Sequence, residues 1–298
     1  MPFGMSGYPQ VVMVKDKVYI GGGYASSDRE RRTVMVYDPQ QDTFDVLSLY
    51  QCEHFSLAAA NSQLVLVGGR NVQTGKRTNT LGVWNSGQWT QPFPPMNTGC
   101  QSPVVGNHNN RWLVVVGGRG DGGDELSKVE ILDTASGQWY CGAPLPQPCY
   151  HVSLATVGNT CYLLGGFTKG SASQSVFSVV LSDLIFQAVL QSGNASAPPS
   201  PSPWQTLPDT PLEHCTALAL SGALLAVGGL ESSTIHLYQP SNKRWVKAGK
   251  LPIERSFCAC AVLPNGEVFV AGGLSAEQQS QVDIAVWLQR LHEYANVQ

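Results

Sequence analysis

KVYIGGG (17–23), QLVLVGGR (63–70), WLVVVGGR (112–119), CYLLGGF (161–167), LLAVGGL (224–230) and EVFVAGG (267–273) repeat one phrase: a short hydrophobic run closed by two glycines. The pairs are Gly22-Gly23, Gly68-Gly69, Gly117-Gly118, Gly165-Gly166, Gly228-Gly229 and Gly272-Gly273, and their first members are 46, 49, 48, 63 and 44 residues apart. Such a period, carried by runs too short for amphipathic helices, predicts an all-β repeat array and not a helical solenoid. A glycine pair at a strand's end also predicts a tight crossing, because a residue without Cβ admits positive φ or a close second backbone.

Working outward, each pair is preceded by a second, smaller apolar run: PQVVMV (9–14), HFSLAAA (54–60), SPVVG (102–106), HVSLATV (151–157), CTALAL (215–220) and CACAVL (258–263). Small residues apolar on both faces suit strands that converge on a common axis. After each pair comes a polar loop and a third run: TVMVY (33–37), TLGVW (80–84), KVEIL (128–132), SVFSVVL (175–181), TIHLY (234–238) and VDIAVW (282–287). A short turn then leads to an aromatic residue, Phe44, Trp89, Trp139, Trp204 or Trp245, positioned to fill the gap between neighbouring twisted sheets. Four antiparallel strands per unit, with an axis-lining strand and an outer aromatic, predict a six-bladed β-propeller; a closed ring also removes the open ends of a linear array. The chain reads as a single domain over 1–298, with blades near 6–50, 51–98, 99–147, 148–210, 211–253 and 254–298.

Thirty-one glycines and nineteen prolines against 13% charged residues agree with many short strands and turns. A net charge of −3 supplies no global attraction to nucleic acid or an anionic membrane surface, and no apolar run approaches the roughly 20 residues that span a bilayer. MPFGMSGYPQ lacks the regions of a secretion signal, so a cytoplasmic protein is the default expectation. The eight cysteines follow the repeat, with Cys52, Cys100 and Cys149 at one offset before the first strand and Cys161, Cys258 and Cys260 inside strands. Free thiols are therefore expected, not a disulfide framework.

The order of hydrophobic strand, Gly-Gly, Tyr37-Asp38-Pro39, and then Trp followed by Leu251-Pro252 resembles the kelch repeat, and the resemblance covers essentially the whole chain. It implies a kelch-type propeller similar to those of BTB-kelch-type adaptors, binding a partner protein or peptide through loops at the channel mouth. No BTB or BACK segment lies within these residues, so an adaptor role implies a neighbouring domain. Some kelch-like propellers are enzymes, among them copper-radical oxidases, sialic-acid epimerases and iron-dependent specifier proteins.

Two departures stand out. Unit four takes 38 residues from Gly166 to Trp204 where unit three takes 21 from Gly118 to Trp139, and the excess contains SGNASAPPSPSP (192–203), read as a loop insertion over 186–203. Asn194 within it matches a glycosylation acceptor, which needs a secretory context. Unit six lacks a clear outer Trp, and the repeat offset puts Trp287 in the place of Tyr37 and Tyr294 in that of Phe44, so that 290–297 would complete the last blade. The competing reading makes LQRLHEYA (288–295) a short helix and takes the missing strand from a segment before Met1.

The residues that follow the glycine pairs are Tyr24, Arg70, Arg119, Phe167, Leu230 and Leu274; those that open the loop into the inner strand are Ser6, Cys52, Cys100, Cys149, Leu212 and Arg255. In kelch adaptors, arginines at such positions read acidic or extended peptides, which makes Arg70, Arg119 and Arg255 candidate contacts; planar guanidinium donors grip carboxylates in pairs. His54, His151 and His214 share one repeat position, two residues past the loop opener. Three histidines raise a metal site, but equivalent residues around a ring stand far apart and no carboxylate shares the position. Arg119-Gly120-Asp121 spells an adhesion tripeptide that the repeat generates by chance, and Gly21 to Gly23 lack the Lys-Ser/Thr of a phosphate loop. No G-x-S-x-G elbow, H-E-x-x-H or paired CxxC occurs. The sequence thus points to a non-enzymatic protein-binding module with no cofactor. A carbohydrate-modifying or metal-dependent propeller enzyme and a structural scaffold are its rivals. Partner identity and oligomeric state are not encoded legibly.

Overall fold

A computed structural model describes residues 7–23, 27–193, 201–274 and 289–290. The fold is an all-β propeller. Unit three shows the pattern: Val104–His108, Trp112–Val116, Val129–Asp133 and Gln138–Cys141 form an antiparallel sheet in chain order, with Val104 opposite Val116 and Trp112 opposite Asp133. Units one, two, four and five are built alike, each a four-stranded sheet. The innermost strands touch in cyclic order, and Gln10–Val14 packs against both Ser56–Ala60 of unit two and Ala259–Val262 of unit six.

Five units are therefore complete blades, where the sequence predicts six. The last unit contributes a three-stranded sheet of Ala259–Val262, Glu267–Ala271 and Gln289–Arg290 among the described residues. Its third strand also sits two residues beyond the repeat offset. Val18 of unit one faces Tyr37, so Val268 is expected to face Trp287, yet it faces Gln289. A strand at 289–290 likewise replaces the helix proposed for 288–295 at those two positions. Trp287 and Tyr294 lie outside the described residues, as do Ser6, 282–288 and 291–298. The first and last units nevertheless share a core: Ile20, Met35 and Tyr37 bury against Leu263, Phe269 and Ala271, with the Tyr37 and Phe269 rings 5.4 Å apart.

The glycine pairs are where one unit locks onto the next. Gly117 has φ +65°, and a Cβ there would lie 2.4 Å from the carbonyl oxygen of Cys149, which opens the loop into the next unit. That same carbonyl accepts the Gly118 N–H at 2.8 Å, and the Gly69–Cys100 and Gly229–Arg255 bonds repeat the joint at 2.8 Å each. The cysteines are part of this packing. Cys52, Cys100 and Cys149 are buried behind the crossings, all eight thiols are free, and burial pushes Cys100 and Cys149 up to about 12.

The outer aromatics tie neighbouring blades as well as filling space. The indole Nε1–H groups of Trp89, Trp139, Trp204 and Trp245 donate to the carbonyls of Ser48, Pro94, Ala143 and Pro208 of the preceding unit, at 3.0, 2.8, 2.9 and 3.1 Å. Phe44, which has no such donor, packs only into the core shared by units one and six.

The expected loop over 186–203 is in part a helix. Helix α1 is a short turn at Asp28–Arg31 whose N-cap Ser27 forms a capping box with Glu30; helix α2 spans Leu181–Gly193. Leu181, Leu184, Ile185 and Ala188 of α2 bury against Trp204 and the core of units three and four, which explains why LSDLIFQAVLQ folds as a helix. Asn194 lies outside the described residues. Because Val180 pairs with Thr160, α2 begins at the end of the sheet opposite the Gly165-Gly166 pair. No helix among the described residues is long and apolar enough to cross a membrane.

Candidate functional site: the channel mouth

The repeat position of His54, His151 and His214 carries Tyr8, Ser102 and Phe257 in the remaining units. All six take left-handed backbone angles, with φ of 54°, 54°, 50°, 51°, 55° and 58° for Tyr8, His54, Ser102, His151, His214 and Phe257. Non-glycine residues in this region cost about 1–2 kcal/mol each, so the surroundings must hold them there. Bonds between neighbouring units do so. The N–H groups of Tyr8, Ser102, His151 and Phe257 donate to the carbonyls of Phe257, His54, Ser102 and His214 at 3.0, 2.7, 3.3 and 3.1 Å. The Tyr8–Phe257 bond joins the first unit to the last.

This backbone belt presents a layer of stacked rings at the end of the axis. Tyr8 lies 4.1 Å from His151 and 4.3 Å from Phe257, His214 lies 4.1 Å from Phe257, and Phe167 stands 5.2 Å from both His214 and Tyr150. All six rings are partly exposed. Beneath them, a cavity of about 230 Å³ runs between the inner strands past Val12, Ala59, Asn107, Leu154, Ala217 and Cys260.

The arginines singled out by sequence are engaged within the fold. Arg70 grips Glu53, with Nε 2.7 Å from Oε1 and Nη2 on the same oxygen, while Arg31 reaches Oε2 from the neighbouring unit at 2.9 Å. Glu53 itself is 1% exposed. Arg119 donates from Nε to the Gly123 carbonyl at 3.2 Å and lies over the Tyr150 ring at 5.0 Å. Arg255 is buried below the mouth, its Nη1 donating to the Gly272 carbonyl at 2.9 Å and its own carbonyl forming the crossing with unit five. The structure thus brings His54, His151 and His214 into one layer with Arg70 and Arg119 at its rim and sets Arg255 underneath. Tyr24 lies outside the described residues.

A family model described as the KLHDC2/KLHL20/DRC7 Kelch-repeats domain matches residues 53–273. The chain belongs to the kelch-repeat family. Among curated kelch proteins, Kelch-like protein 25 of Xenopus tropicalis is 23% identical over 253 residues, which cover 79% of this chain and 39% of that protein. Kelch-like protein 34 of Homo sapiens is 24% identical over 265 residues, covering 86% and 38%. The chain therefore spans about two-fifths of the length of these relatives. The solved structure of YjhT superposes with a TM-score of 0.74 over 95% of each chain at 16% identity, a likeness of fold alone.

On this kelch scaffold the histidines are neutral at neutral pH. Burial drives His151 down to about 3, with His54 and Arg119 adding to the shift. Burial is also the main cause of lowering at His54 and His214, opposed there by Glu53 and Glu213. Among the described residues no group of three or more His, Cys, Asp or Glu is arranged to hold a metal ion. The arrangement can stack, pack and accept hydrogen bonds. Sequence reading did not single out Tyr8, Tyr150, Phe167 or Phe257; the two-residue offset that aligned the three histidines finds Tyr8 and Phe257 when applied to units one and six, and Phe167 directly follows a glycine pair.

Proposed function

We propose that this kelch domain is a non-enzymatic protein-interaction module that holds a segment of a partner protein across the ring layer at the channel mouth. The observation that carries the reading is a surface of six partly exposed rings, Tyr8, Tyr150, His151, Phe167, His214 and Phe257, at the end of a cavity and fixed by a belt of backbone bonds between units. Rings immobilised in advance lose little entropy on binding, and exposed aromatics are the side chains that most often anchor interfaces. Membership of the kelch family supports the same reading. The domain acts as the recognition part of a longer cytoplasmic protein, and residues after Gly273 complete a sixth four-stranded blade.

The test is binding of a partner identified from cell extract to the purified chain and to paired variants. Phe167→Ala with His214→Ala, at the mouth, should reduce affinity at least roughly tenfold, the effect of losing one or two buried ring contacts. Phe186→Ala, on α2 at the opposite end, should leave it unchanged. Unchanged binding to the mouth variant refutes the assignment.

A further inference from the structure

Units four and five do not meet as their neighbours do. Starting three residues before the first glycine of each pair, a row of side chains crosses the sheet on the face turned to the next unit. The row is Val65, Val83 and Thr90 in unit two, Val114, Ile131 and Tyr140 in unit three, and Leu225, Leu237 and Val246 in unit five. In unit four it is Tyr162, Ser178 and Gln205. A serine thus stands where Val83, Ile131 and Leu237 pack between sheets. Beside it is a second cavity of about 230 Å³, lined by Thr160, Tyr162, Ser178 and Gln205 from unit four and by Tyr238 and Lys243 from unit five. It lies toward the end of the propeller opposite the mouth, because Thr160 and Val180 pair at the far end of their strands from Gly165-Gly166.

The lining is rich in donors. Ser178 and Tyr238 are each 5% exposed, and among the described residues neither hydroxyl has a hydrogen-bond partner in the protein. Burial pushes the Tyr162 and Tyr238 phenols up, so both stay protonated and can donate. Thr160 adds a hydroxyl, Gln205 an amide and Lys243 an ammonium, and no carboxylate lines the cavity. Lys243 and its neighbour Arg244 make no ion pair among the described residues. The acids nearest in sequence lead away. Asp183 is in the first turn of α2, which packs on Gln138–Cys141 of unit three, and Asp209 lies beyond Leu207 toward the mouth, beside the Thr210 N–H that donates to the Gln174 carbonyl at 2.9 Å.

We propose that the cavity between units four and five binds an oxyanion, a phosphate group either free or carried on a small organic molecule, with Lys243 balancing its charge and the hydroxyls of Ser178 and Tyr238 donating to its oxygens. The site is separate from the mouth and does not rest on the mouth-binding reading. Buried donors without acceptors are a cost that an incoming acceptor relieves. Water relieves it in part; an oxyanion accepts from several donors at once and adds attraction to an ammonium. The donors stand on two facing walls, one from each unit, which suits a tetrahedral group with oxygens on every side.

The test is isothermal titration calorimetry of the full chain with inorganic phosphate and, separately, with glycerol 3-phosphate, each compared with sodium chloride at matched ionic strength. At least one of the two phosphates should bind saturably at one site, and chloride should not. Lys243→Gln should weaken that binding at least roughly tenfold, the loss of one charge-assisted contact, and so should Ser178→Val, which installs the residue type of Val83. Lys250→Gln, which removes a cation of the same strand outside the cavity lining, should leave it unchanged. Tighter binding of glycerol 3-phosphate supports the carried group and tighter binding of inorganic phosphate the free ion. Far-UV circular dichroism checks folding; Lys243 is exposed, so its variant keeps the test decisive if Ser178→Val does not fold. No saturable binding of either phosphate, binding that survives Lys243→Gln, or equal weakening by Lys250→Gln overturns the proposal.

Discussion

Substituting Gly117 by Ala tests the joint between units directly, because Gly158 provides a matched control. Both glycines hold positive φ, +65° and +58°, so both substitutions incur the left-handed penalty of about 1–2 kcal/mol, offset by about 0.4–1 kcal/mol from a stiffer unfolded chain. Their surroundings differ. An added Cβ at Gly158 meets nothing within 4 Å, whereas at Gly117 it meets the Cys149 carbonyl oxygen at 2.4 Å. That carbonyl must retreat, and it is the acceptor of the 2.8 Å bond from Gly118. Leaving a buried donor unmatched costs about 1–3 kcal/mol. Gly158→Ala should therefore cost about 1 kcal/mol and Gly117→Ala about 2–4 kcal/mol. Urea unfolding followed by tryptophan fluorescence reads the difference as a larger shift of midpoint at unchanged slope. Equal shifts for the two variants would refute the idea that the glycine pair exists to admit the next unit's backbone.

Further outcomes follow from the same geometry. Trp204→Ala, which empties a side chain 7% exposed and removes its bond to Ala143, should destabilise by about 3–5 kcal/mol, and Trp204→Phe by appreciably less; thermal unfolding separates them. His151 is held at about 3 against an ordinary 6.5, so between those values the unfolded chain binds more protons. Its contribution is complete above about pH 6.5 and lost as pH falls toward 3, at no more than about 1.4 kcal/mol per pH unit, and His151→Phe should make the stability profile less steep between pH 4 and 6.5, where the lowered His54 and His214 still contribute. Asp133, held at about 2 by Arg111, acts below that window. Under native conditions iodoacetamide should label the exposed Cys141 well before the buried Cys100, Cys149 and Cys161, as mass spectrometry of timed digests will show.

What was legible in the sequence is what the repeat enforces. The inner strands, the glycine crossings and the outer tryptophans each answer one steric demand made in every unit, so periodicity exposes them. The mouth obeys a weaker rule. Its backbone geometry repeats six times, but its side chains do not, and the left-handed angle at Tyr8, Ser102 and Phe257 is set by bonds to the neighbouring unit that leave no residue signature. Arg70 looked available because its partner Glu53 sits 17 residues away on an adjoining strand, and Arg255 because it opens a loop, a position that the fold buries here as it does at Cys52, Cys100 and Cys149. In unit four, composition drew attention to the Pro- and Ser-rich run and hid α2, whose apolar stripe is complete before that run begins. At the chain's end the two-residue shift of Gln289–Arg290 shows where counting from the glycines ceases to set register.

The central claim is that the ring layer of the mouth is where a partner lies, and site-specific photo-crosslinking addresses it most directly. A benzophenone side chain placed at Phe167 and, separately, at Phe186 on the opposite end samples both faces of one scaffold in cell extract. The account predicts a discrete crosslinked partner from position 167 that is lost when His214 and Leu230 are also replaced, and none from position 186. Crosslinking from 186 alone, or crosslinking from 167 that persists in the triple variant, would contradict it.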